Sequence, residues 1–441
     1  MIKFLKYLLT GILVSMYFFP FEFSVLPGLN TKMMEAALGV VFFIYYLVTI
    51  REFRIPKSIF VIILLASLVS LIGLFSTTYN QTEDYAYATY LTSALVWLGG
   101  AFFVCCVIHF FHKRIDIPIV VNYLIAVCVF QCAIAMLIEY VAVVRLVIDS
   151  TVNQGQEMLQ SVHRLYGIGA GLDVAGCRFS IVLAAMSVLV TKESWRMNTL
   201  KIALYFLAFF IIVIIGNMIA RTTLVGAGVG LAYLVLSLIF ESNKETKRKS
   251  KIIGAFFMIA AIVILVSVSL YQSIPSVRDQ YRFAFEGFFN YVETGEWQSS
   301  STDRLGSMVI FPESLKTWVI GDGYFSNSRY DINYLGTATE GGFYMGTDIG
   351  YLRFLFYFGV IGLSAMIAVM AYTAFAAAKR DSYYRLIPLL TLLVGLIVWL
   401  KVSTDVFLAL ALFLIALEMK AEIAHHAGRQ CGADECEKET F

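Results

Sequence analysis

The sequence predicts an all-α polytopic membrane protein of about twelve transmembrane helices, with a large extracytoplasmic loop between spans 9 and 10. Three observations lead there. The 441 residues are 59% hydrophobic and 15% charged, with a mean hydropathy of +0.78, whereas a soluble domain is roughly 45–50% apolar. Apolar runs recur at about 20 residues, the helical length that crosses a hydrocarbon core of about 30 Å. Lys and Arg collect in every second connection, as the positive-inside rule requires.

The apolar runs fall near 4–23, 33–50, 57–76, 88–110, 117–144, 178–191, 199–217, 222–240, 252–272, 350–374, 386–400 and 402–419. The first follows Lys3 and Lys6 like a secretory signal, but no small-x-small cleavage site comes after it and Phe18 to Leu26 is aromatic and apolar. It therefore reads as a retained anchor. The basic set of connections continues with Arg51, Arg54 and Lys57, then Lys113 and Arg114, then Lys192, Arg196 and Lys201. It resumes at Lys244 to Lys251, at Lys379, Arg380 and Arg385, and at Lys420. The opposite set includes Thr77 to Tyr87, which carries Glu83 and Asp84 and no cation. One extra or missing span would invert every later loop, so the alternation checks the count and puts both termini in the cytoplasm.

The chain thus divides into a membrane domain of nine spans (1–272), the large loop (273–349), three more spans (350–419) and a cytoplasmic tail (420–441). Only 7 prolines occur, giving little sign of the paired broken helices of many secondary transporters. Cys105, Cys106, Cys128 and Cys132 sit in spans, Cys431 and Cys436 in the tail, and Cys177 alone near the outer face, so no disulfide is expected. His425, His426, Cys431 and Cys436 fit no common zinc spacing. The sequence holds no zinc-protease, nucleophile-elbow or dinucleotide motif, so neither a metal nor a cofactor is expected. A net charge of +2 gives no reason to expect nucleic acid.

The large loop is polar and charged, with Arg278, Arg282, Arg304, Asp322, Arg329, Asp331 and Asp348. Val277 to Val292 reads as one amphipathic helix, lying on the lipid interface or forming a sugar-stacking platform. Ser299 to Asp303 reads as a cap for a second helix over Arg304 to Lys316. Gly321-Asp322-Gly323 is a turn, and Gly336 to Gly346 a flap.

Several charges are candidates for chemistry. Arg221 sits in a hairpin between two spans with almost no loop, where it snorkels to lipid phosphate or binds a substrate phosphate. Arg164 and Arg178 flank the glycine-rich stretch Gly167 to Asp173, where backbone N–H groups and guanidinium can hold an anion. Arg178 is equally an interfacial anchor. Asp348 stands where the loop re-enters the membrane, a desolvated position suited to a general base or to a helix cap. On a helix starting there, Tyr351 and Leu352 share its face and Arg353 points elsewhere. Lys401 and Asp405 are expected to pair locally.

This pattern resembles the O-antigen polymerase and ligase family, the Wzy-type enzymes that join lipid-linked glycans at the outer side of the bacterial inner membrane. The residues that carry the resemblance are Arg221 in its short outer hairpin, Asp303-Arg304-Leu305, Trp318 to Gly323, Asp348 to Leu352 and Phe358-Gly359-Val360-Ile361-Gly362. Ligases of the family show a His-Asn pair before the re-entering helix; here Thr347-Asp348 stands in that place. The resemblance therefore implies a polymerase: metal-independent, inverting transfer between undecaprenyl-pyrophosphate-linked oligosaccharides. It also implies a flippase and a chain-length regulator as partners. Arg221 and Arg304 would then hold the pyrophosphate, Asp348 would take the acceptor proton, and Arg164, Arg178, Arg353 and Tyr351 would bind substrate. A lipid-linked-oligosaccharide flippase or transporter and an O-antigen ligase are the alternatives.

Overall fold

A computed structural model describes residues 2–49, 55–156, 159, 164–240, 246–328 and 342–438. Arg329, Asp331 and the expected flap up to residue 341 lie outside the described residues, as do the side chains of His426, Cys431 and Cys436.

Every one of the apolar runs lies on a helix. In chain order these are α1 (Ile2–Phe18), α2 (Thr31–Thr49), α3 (Lys57–Asn80), α4 (Tyr90–His112) and α5 (Ile117–Tyr140). After the short α6 (Ala142–Thr151) come α7 (Leu172–Glu193), α8 (Thr199–Ile219), α9 (Thr223–Phe240) and α10 (Thr246–Ser273). The loop supplies α11 (Pro275–Ala284), α12 (Glu286–Thr294), α13 (Ser300–Ser307) and α14 (Leu315–Val319), and the chain closes with α15 (Gly350–Arg380), α16 (Leu386–Val398) and α17 (Phe407–Lys438). Among the described residues, nine helices (α2–α5, α7–α10 and α15) are long and apolar enough to cross a membrane. The protein is therefore a helical, multi-pass membrane protein. The apolar α16, expected over 386–400, has 13 residues, or about 20 Å, less than a straight crossing of the core needs.

Local chemistry sets the helix ends. α1 stops ahead of Pro20, which offers no N–H and disfavours a helical residue before it. The Asp116 carboxylate accepts the Ile119 N–H at 2.9 Å to open α5, with Pro118 in the first turn. Asn198 caps α8 through the Lys201 N–H at 2.8 Å.

The core centres on α7, whose apolar window is 94% buried, whereas those of α2, α3 and α10 are 22%, 22% and 17% buried and present their sides to lipid. α9 lies along α7 at backbone contact distance: a Cβ on Gly226 would stand 2.1 Å from Ser180 Cα. The Ser180 hydroxyl fills that contact, donating to Thr222 O at 2.8 Å and accepting from the Gly226 N–H at 3.0 Å. Small and hydroxyl residues give such packing where no water is available to drive it. A two-residue antiparallel pair, Glu22–Phe23 with Val152–Asn153, ties the α1–α2 turn to the loop after α6.

α15 is broken at Phe358 and Gly359, where Gly359 has φ +67° and a Cβ would stand 2.1 Å from Val319 O. The break frees carbonyls that the large loop satisfies. The Asp322 N–H donates to Phe356 O at 2.6 Å, the Gly323 N–H to Tyr357 O at 3.1 Å, and Ser76 Oγ to the same oxygen at 2.7 Å. Beyond the break, 360–380 is about 31 Å long, the thickness of the hydrocarbon core. The piece Gly350 to Tyr357 precedes the break, and Asp348 comes before the helix itself.

The loop departs from the expected two long helices. The amphipathic stretch breaks at Phe285, because the last carbonyls of α11 are taken by the membrane domain: Phe283 O accepts from Arg221 Nη2 at 2.7 Å and Ala284 O from Asn217 Nδ2 at 2.8 Å. The helix expected over Arg304 to Lys316 is instead α13 and α14, with Pro312 between them.

Candidate functional site

Charges from several connections meet around the large loop. Arg221 is the first to be placed, and its guanidinium is already occupied. It pairs with Glu286 Oε2 at 2.8 Å, donates to Phe283 O and to Ser299 and Ser300 Oγ, and lies 4.4 Å from the Phe283 ring centroid. Glu286 opens α12, where a carboxylate suits the helix dipole. Burial would raise its pKa, but hydrogen bonds from Ser300 and the Arg221 charge outweigh that and lower it. Arg221 thus fastens the loop to the membrane domain.

Two other arginines are free to meet a ligand. Arg164 also lies over the same ring, 5.6 Å from the Phe283 centroid. Arg304 is exposed on α13. Among the described residues neither has an ion-pair or hydrogen-bond partner. Desolvation lowers the Arg164 pKa; Asp173 opposes that, while the charges of Arg221 and Arg304 add to it. The charges of Arg221 and Arg304 thus disfavour the charged form of Arg164, an arrangement that an anion would relieve.

Asp173, in the first turn of α7, accepts from Lys401 Nζ at 2.9 Å and from Thr222 Oγ1 at 3.1 Å. Lys401 therefore reaches back to Asp173, and the local pair with Asp405 does not form. Asp405 turns the other way to cap α17, accepting the Phe407 N–H at 2.8 Å.

Asp348 lies beside these groups. Burial pushes its carboxyl up to about 6, against the lowering charge of Arg353; Asp173 raises it further and Arg304 lowers it. The expectation that Arg353 points away is overturned: its Nη1 lies 3.3 Å from Asp348 Oδ1. α15 begins only at Gly350, so Asp348 precedes the helix in extended chain and folds back over its first turn. The helix cap is Ile349, not Asp348. Arg353 also donates to Ser403 Oγ at 2.7 Å and to Phe325 O at 2.9 Å, and stacks on Phe325 at 3.6 Å. It thereby ties Asp348, the loop at Phe325 and Ser403 together. Asp84 assists from the α3–α4 connection by accepting the Phe325 and Ser326 N–H groups at 2.8 and 3.0 Å.

Two expected residues lie away from this basin. Tyr351 donates to Leu396 O at 2.8 Å and packs its ring on Trp399, joining α15 to α16. Arg178 is 8% exposed inside the bundle with the Phe19 ring at 5.7 Å, so it is no interfacial anchor. The residues that sequence reasoning passed over are Asp84, Phe283, Glu286 and Phe325. The one available signal for Asp84 was its place in a cation-free outer connection.

Between Arg221, Glu286, Trp297, Leu305 and Lys401 lies an open cleft of about 310 Å³ with aromatic walls. Arg164, Arg304 and Asp348 do not line this cleft. They lie in the same electrostatic neighbourhood, with the Arg304 charge lowering the pKa of both Arg164 and Asp348. The group can meet an anion at the arginines and accept a proton at Asp348. Among the described residues no group of three or more His, Cys, Asp or Glu side chains is placed to hold a metal. No family model, curated protein or solved structure matches the chain.

Proposed function

We propose that the protein polymerises lipid-pyrophosphate-linked oligosaccharide repeats into a surface polysaccharide by metal-independent, inverting glycosyl transfer. The observation that carries this reading is Asp348, a buried carboxyl raised to about 6 and held 3.3 Å from Arg353, with Arg304, which has no ion pair or hydrogen bond among the described residues, near enough to act on both Asp348 and Arg164. An acceptor hydroxyl attacks the anomeric carbon of the donor, the bond from that carbon to the pyrophosphate oxygen breaks, and the hydroxyl proton passes to the Asp348 carboxylate. Single displacement inverts the anomeric centre. Arg164 and Arg304 hold the charge that develops on the leaving pyrophosphate, while Arg221 and Arg353 position the loop and the base.

In this reading the membrane is the bacterial inner membrane, with both termini cytoplasmic and the basin on the outer face. In the sequence the Lys- and Arg-rich connections alternate with those that include the large loop, which supports that orientation. The polymer leaves undecaprenyl pyrophosphate behind, and a flippase and a chain-length regulator are the expected partners. The test is purified protein in lipid vesicles with a lipid-pyrophosphate-linked repeat, resolved on a gel. A ladder of repeats is expected. Movement of the oligosaccharide across the bilayer without chain growth indicates a transporter, and transfer only to a non-repeat acceptor indicates a ligase; either result overturns the proposal.

A further inference from the structure

Between α1 and α5 runs a separate groove of about 810 Å³, within the roughly 300–1,000 Å³ of a small-molecule site. On α5 its lining runs from Ile119 to Gln131, about 18 Å of helix. Gly11 of α1 and Ala126 of α5 both line it, and a Cβ on Gly11 would meet nothing within 4 Å. The walls are apolar, with Tyr7, Leu8, Ile12 and Phe130 among them.

The two ends differ. One is shut by Gln131, 1% exposed, whose amide bonds both ways with Ile168: Nε2 to Ile168 O at 2.9 Å and Ile168 N–H to Oε1 at 2.9 Å. Gln131 Nε2 also reaches Ser15 Oγ at 3.2 Å. The other end opens at Arg114, which is exposed and, among the described residues, has no ion pair or hydrogen bond. Lys6 and Lys113 stand close by, over the rings of Phe111 and Phe110.

We propose that this groove binds one anionic phospholipid of the leaflet on the basic side. Its headgroup phosphate sits on Arg114, and one hydrocarbon chain lies between α1 and α5 with its end under Gln131. The charge at the open end selects an anionic headgroup over a zwitterionic one. The closed end fixes the direction of the chain. Because Gln131 holds Ile168, the bound chain buttresses the glycine-rich stretch that follows Arg164. The site does not depend on the glycosyl-transfer reading.

The test is native mass spectrometry of the detergent-purified protein, titrated in parallel with phosphatidylglycerol and phosphatidylcholine. One phosphatidylglycerol is expected to be retained over phosphatidylcholine by about fivefold for each cation engaged. Arg114→Gln should reduce that preference by about fivefold. Gly11→Leu, whose side chain enters open space, and Ala126→Leu should each abolish the retained lipid while leaving the unfolding temperature at the wild-type value. Equal retention of the two lipids by wild type overturns the proposal. So does unchanged phosphatidylglycerol binding in Arg114→Gln, or in both groove-filling variants.

Discussion

Replacing Arg353 by Met keeps most of the side-chain volume and removes the cation 3.3 Å from Asp348. Burial already holds the Asp348 carboxyl at about 6, with Arg353 as the largest opposing influence. A neighbouring Arg depresses a carboxyl by about 1–3 pH units, so its loss moves the midpoint to about 7 or higher. As a raised carboxyl, Asp348 is ionised, and competent as a base, above its midpoint and protonated below it. At pH 6 the ionised share then falls from about one half to about one tenth, a roughly fivefold loss of rate beyond any general effect. At pH 9 most of that extra loss disappears. The variant also leaves the Phe325 carbonyl and Ser403 without their donor, which costs about 1–3 kcal/mol of stability. The assay is the pH profile of chain growth in vesicles, on protein that elutes as a single folded species. A rate that falls by the same factor at every pH, with an unmoved midpoint, refutes the assignment of Asp348 as base and of Arg353 as its positioning residue.

Three further outcomes separate binding from scaffolding. Arg164→Ala and Arg304→Ala should each lower the polymerisation rate by on the order of 10²–10³, with thermal unfolding close to wild type, since among the described residues neither side chain holds an ion-pair or hydrogen-bond partner and Arg164 gives up only its contact with the Phe283 ring. Arg221→Ala should instead lower stability by about 1–3 kcal/mol in thermal unfolding, because Glu286 loses its cation and Phe283 O its donor; an unchanged unfolding temperature with lost activity would make Arg221 a ligand. Gly359→Ala sets a side chain at positive φ against Val319 O, and should cost more than about 1 kcal/mol and expose the loop to limited proteolysis. Wild-type resistance would refute the docking of the loop on the broken helix.

The helices were legible because lipid imposes a simple rule: an apolar run must close its own backbone hydrogen bonds. Every run consequently sits on a helix, and Asp116 and Asn198 mark starts that a reader of caps can find. The loop was not legible, because its geometry depends on contacts made across the chain. Asp84 holds Phe325 and Ser326, and Lys401 holds Asp173, and neither pair is close in sequence. Arg353 was misplaced for a local reason: counting helical phase from Asp348 puts the two on different faces, whereas the helix begins two residues later. Arg221 stood out in the sequence as a cation needing an anionic partner, but that partner, Glu286, lay inside what read as an uninterrupted amphipathic helix.

The central claim is that Asp348 takes a proton as a sugar–pyrophosphate bond is exchanged for a sugar–sugar bond. The most direct measurement counts lipid pyrophosphate released against glycosidic bonds formed, in reconstituted wild type and in Asp348→Asn. One pyrophosphate per bond is expected in wild type, with both products falling together by at least about 10² in the variant. Bond formation that persists at the wild-type rate in Asp348→Asn, or pyrophosphate release with no bond formed, would contradict it.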